Sequence, residues 1–89
     1  MGYLIDSLDK IFENKNIGLR QPITMLLDLE GNSVEVLKAK LKDVKTILHT
    51  KAEKARDGGF AQQWLRLNNY YTTVEGIFDI LIKEQGDNK

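Results

Sequence analysis

The side chains able to do catalysis are few and scattered. His49 is the only histidine and there is no cysteine, which removes disulfides, thiolate zinc sites and a cysteine nucleophile. A histidine-based triad needs a nucleophile and an orienting group beside it, and a zinc site needs further ligands. His49 sits beside Thr50, off the apolar spacing of its segment, so it is expected to be a solvated surface residue. The close carboxylate pairs are Asp6 with Asp9, Asp28 with Glu30, and Glu75 with Asp79. Acid–base work requires an enclosure that tunes one member of such a pair, and no apolar run encloses any of them. The one double glycine, 58-GGF, lacks the strand, helix and lysine of a phosphate loop. Catalytic, metal and cofactor roles are therefore not expected.

Binding chemistry is better represented. Lys38, Lys42 and Lys45 recur at helical spacing in residues 33–57, which hold seven basic side chains against four acidic ones. Such a stripe is either a solvated face or an attractor of small anions. Lys15 and Arg20 lie in a polar stretch with Asn14, Asn16 and Gln21, read as a loop. A guanidinium there suits a planar phosphate or carboxylate. The run 62-QQWLRLNNYYTT-73 combines the only tryptophan, two tyrosines, amides and hydroxyls. Asn, Thr and the nearby Gly76 are poor interior helix formers, so either this face meets something polar or another backbone approaches closely at Gly76.

Length and composition bound the scaffold for these groups. Eighty-nine residues fit one domain with a thin core. Thirteen basic residues balance thirteen acidic ones, which argues against a nucleic-acid binder. The start, 1-MGYLIDSLDKIF, is acidic and discontinuously apolar, unlike a leader or a membrane span, and with no cysteine it points to the cytoplasm.

The periodicity predicts an all-α fold. Leu4, Ile5, Leu8, Ile11 and Phe12 form one stripe of a helix over 3–13. A loop follows, then 22-PITMLLDLEG, whose apolar residues are too dense for a clean period; a short helix from Pro22 that Gly31 would stop is preferred over an extended stretch. Asn32 or Ser33 caps the third helix, with Glu35 completing a capping box after Asn32. Val34, Leu37, Leu41, Val44 and Leu48 alternate three- and four-residue spacings to make a seam, and 58-GG ends that helix after Asp57. Phe60, Trp64, Leu67, Tyr71, Val74, Phe78 and Leu81 make the matching seam of a fourth helix that ends near Glu84, leaving 85–89 as a polar tail. The expected organisation is one domain: short helix and loop over 1–31, antiparallel hairpin over 32–84, tail over 85–89. Leu65, Tyr70, Ile77 and Ile82 lie beside the seam, and burying them predicts a helical-bundle homo-oligomer. A compact monomer capped by the first two segments is the alternative.

This layout resembles small phage proteins that sequester the cyclic-nucleotide signals of the CBASS antiviral system. The resemblance is carried by 4-LIDSLDKIF-12, a polar basic loop, the long hairpin, and 65-LRLNNYYTTVEGIFDILI-82. That family has an aromatic residue and prolines after its first helix, where this chain reads 12-FENKNIG-18. The resemblance implies a non-enzymatic homo-oligomer in the host cytoplasm that binds cyclic oligonucleotides between subunits. Tyr3, Tyr70 or Tyr71 would stack on a base, and Lys15, Arg20 or Arg66 would hold phosphate; Asn69 and Thr73 are further ligand-binding candidates. The chain also resembles, loosely, the helical immunity proteins of bacteriocin producers, which implies a protein partner. Weak DNA binding through the lysines of residues 33–57 ranks third.

Overall fold

The computed structural model describes residues 2–13 and 18–87, with side chains over 4–13 and 18–86. Four helices follow in order: α1 (Gly2–Glu13), α2 (Arg20–Leu26), α3 (Val34–Asp57) and α4 (Ala61–Asp87). The chain forms two compact units, Met1–Asn32 and Ser33–Lys89. No described helix is long and apolar enough to cross a membrane.

In the first unit, α1 is amphipathic as its spacing predicts. Ile5 and Leu8 are buried, while Asp6, Lys10 and Glu13 are exposed. The second helix begins at Arg20, not at Pro22. Leu19 accepts the first helical bond from the Ile23 N–H at 3.2 Å, which places Pro22 in the first turn, where its missing N–H is not needed. Gly31 is not the stop. The helix ends five residues earlier, in a Schellman motif that Asp28 closes by adopting φ 53°. Asp28 N–H donates to Met25 O at 3.3 Å and Leu29 N–H to Thr24 O at 2.9 Å. Gly31, also left-handed at φ 76°, belongs to the following turn.

The second unit is the hairpin. Ser33 caps α3 in extended geometry, its hydroxyl accepting the Val36 N–H at 3.2 Å. With Ser33 as the cap, the third helical position is Val36 and not Glu35, so no capping box forms. Asn32 braces the preceding turn instead, its amide donating to Asp28 O at 2.8 Å. Along α3 the buried row is Leu37, Val44, Leu48, Ala52 and Ala55. The two alanines continue the seam to the turn, where small side chains suit helices converging on a short connection.

The α4 seam differs from its expectation. Leu67, Tyr70, Val74, Ile77 and Phe78 are buried. Trp64, Tyr71 and Leu81 are only half-buried, and Phe60 is exposed. Both Tyr70 and Tyr71 satisfy a three-or-four spacing between Leu67 and Val74. Counting from Phe60 selects Tyr71, but Phe60 precedes the helix and is no guide to its phase. Tyr71 lies on the flank, its ring centroid 5.8 Å from Lys45 Nζ. Lys45 also pairs with Glu75 Oε2 at 2.6 Å, tying α3 to α4. The hydrogen bond to Glu75 holds the Lys45 ammonium above its usual range. The helix continues through Gly86 to Asp87, past the polar tail expected from residue 85.

Candidate functional site

The turn between the two long helices borders an open groove in the hairpin unit. Gly58 caps α3, and Gly59 follows at φ 79°. Gly59 N–H donates to Arg56 O at 3.1 Å and Phe60 N–H to Ala55 O at 2.8 Å, a second Schellman motif. Phe60 O then accepts the first bond of α4, from the Trp64 N–H at 3.0 Å. One residue thus ends α3 and opens α4, and both backbone groups of Phe60 are engaged.

That double engagement fixes where the ring goes. A Cβ added at Gly58 would lie 2.8 Å from Phe60 Cε2 and 3.0 Å from Cδ2, so the ring rests on the bare glycine backbone. The residue as a whole is still 62% exposed. An open groove of about 440 Å³ lies beside it, lined by Phe60, Gln62, Gln63 and Arg66. These side chains offer an apolar stacking plane, two carboxamides that both donate and accept, and a planar cation. Phenylalanine has no side-chain acceptor for the first-turn N–H groups of α4, and that turn contains no acidic residue. The groove therefore opens at a helix end whose dipole favours negative charge.

The sequence-selected residues divide. Arg66, Asn69 and Thr73 share one outer stripe of α4, with Arg66 and Asn69 exposed and Thr73 half-buried. Tyr70 does not join them: it is 3% exposed and belongs to the hairpin core, which corrects its assignment as a stacking residue. Arg20 is exposed, but as the first residue of α2 rather than in a loop. Lys15 lies outside the described residues, and of Tyr3 only the backbone, in α1, is described. His49 is on the surface as expected, 3.0 Å from Glu53 Oε1 one helical turn on. The stripe Lys38, Lys42 and Lys45 is broken chemically by the Lys45–Glu75 pair.

The seam count hides Phe60, whereas Gln62 and Gln63 belong to the polar run that the sequence itself marks out. The available signal was 58-GG: a residue two places beyond a helix C-cap is a capping residue, whatever spacing it keeps with the next helix. No known family model, curated protein or solved structure matches the chain.

Proposed function

We propose that the chain is a non-enzymatic, self-associating helical protein that binds a small planar anion at the α3–α4 turn. Cyclic oligonucleotide immune signals, held in the host cytoplasm, are the ligand class the phage-protein resemblance implies. The observation that carries the reading is the exposed Phe60 ring, braced on Gly58 and set beside two amides and Arg66. An aromatic face this exposed adds little to folding, whereas base–aromatic stacking contributes about 1–3 kcal/mol per base. Arg66 supplies the phosphate contact, and the amides suit the hydrogen-bonding edge of a base. Arg20, exposed on α2, is a separate anion contact.

Thermal shift against mononucleotides and cyclic di- and trinucleotides tests this. Ligand at a hundred times its Kd adds about 2.7 kcal/mol to stability. The expected result is a shift for at least one nucleotide that Phe60→Ala and Arg66→Ala abolish. A flat panel removes the nucleotide reading and favours the immunity-type alternative, a protein partner. Salt-dependent retention of random duplex would instead support DNA binding.

A further inference from the structure

The outer face of α4 is unusual for a chain with 29% charged residues. Between Arg66 and Asp79 the helix carries one charge, Glu75, which is turned to Lys45 on α3. The outer row is Leu65, Asn69, Thr72, Gly76 and Ile80. Leu65 is 60% exposed and Ile80 47%, with Asn69, Thr72 and Gly76 exposed between them. Asparagine, threonine and glycine are costly in the middle of an exposed helix. The hairpin does not require the glycine: a Cβ at Gly76 would meet nothing within 4 Å. A residue that costs helix stability and relieves no internal crowding leaves room for another backbone from outside.

The order along the row is self-complementary. A large apolar residue stands at each end, small and uncharged residues fill the middle, a cation flanks the first end and an anion the second. The geometry points to a second copy of this chain as the occupant, with its α4 antiparallel and a two-fold axis between Thr72 and Thr73. Each Leu65 then lies level with Ile80 of the second copy, and each Asn69 with Gly76 of the second copy. The α4 segment bearing Arg66 lies along the partner segment bearing Asp79. A parallel copy would instead bring like ends together, Arg66 beside Arg66 and Asp79 beside Asp79. The antiparallel pairing is isologous, so it closes as a dimer. It specifies the self-association in the function proposed above and stands independently of the ligand.

The absence of native cysteine makes the register directly measurable. Oxidation of single-cysteine variants of the full chain should link Thr72→Cys to itself rapidly. Leu65→Cys and Ile80→Cys should not self-link, but an equimolar mixture of the two should form the mixed disulfide. Sedimentation of the unmodified chain should show a species of about twice 10.2 kDa that dissociates on dilution. Ile80→Asp should weaken the dimer at least ~10-fold, which corresponds to losing one well-buried contact. Its helical circular dichroism should be unchanged. Self-linking of Leu65→Cys and of Ile80→Cys, each alone, would overturn the antiparallel register. A 10.2 kDa species at every concentration would overturn the interface altogether. Neither result bears on nucleotide shifts lost in Phe60→Ala, so failure here and failure of the ligand reading are separable.

Discussion

Two helix ends in this protein use the same backbone device for different ends. After α2, Leu27, Asp28 and Leu29 make a Schellman motif; after α3, Gly58, Gly59 and Phe60 make another. In both, the residue at positive φ lets two N–H groups turn back to orphan carbonyls. In the first, the closing residue Leu29 is 2% exposed and serves as core. In the second, the closing residue is an aromatic that is 62% exposed. The first end spends an aspartate on the left-handed position and gains a buried leucine. The second uses the residue best suited to that position and directs its hydrophobic side chain outward. An identical local geometry therefore leaves the side chain at its end free to join the core or to stand exposed.

The largest expected effect separates the two closing residues. Leu29→Ala should lower unfolding free energy by about 2–5 kcal/mol in urea denaturation, as truncation of a buried leucine does. A cost under about 1 kcal/mol would show that Leu29 is not core. The left-handed positions permit a matched exchange. Gly59→Asp should cost roughly 1–2 kcal/mol, because a side chain enters a conformation that only glycine adopts freely. Asp28→Gly should gain up to about 1 kcal/mol at the other end. Opposite signs support equivalent backbones; equal signs would mean that the Asp28 side chain contributes more than its strain costs. The smallest stability effect is expected for Gly58→Ala, within about 1 kcal/mol, since Gly58 has ordinary φ and the added methyl chiefly displaces the Phe60 ring, its other near neighbour being Lys54 O at 3.3 Å. Nucleotide affinity should nevertheless fall in that variant, and titration calorimetry would show it.

The same contrast explains what the sequence made legible. Three of the helices, α1, α3 and α4, and the hairpin with its two-glycine turn follow from periodicity and from the breakers Gly58 and Gly59, whereas the apolar residues of α2 are too dense for a clean period. The α1 stripe around Ile5 and Leu8 and most of the α3 seam lie where spacing puts them. The α2 stop did not follow, because aspartate in a left-handed position carries no pattern of its own and Gly31 is a better candidate by type. The choice between Tyr70 and Tyr71 rests on phase, and Phe60, which sets that phase in the sequence, lies outside the helix. Ala52 and Ala55 were missed because a small residue in a seam does not register as apolar by size. Of the candidate site, Arg66, Gln62 and Gln63 are legible by residue type, while Phe60 becomes visible only once the turn geometry withdraws it from the core.

The central claim is that the α3–α4 turn holds Phe60 out for a ligand. Phe60→Ala tests it most directly, with unfolding free energy and nucleotide-induced thermal shift measured on the same protein. Stability within about 1 kcal/mol of the parent, together with loss of the nucleotide shift, is the predicted result. A loss of roughly 3–5 kcal/mol, the cost of emptying a core phenylalanine site, would contradict the claim and return Phe60 to the core.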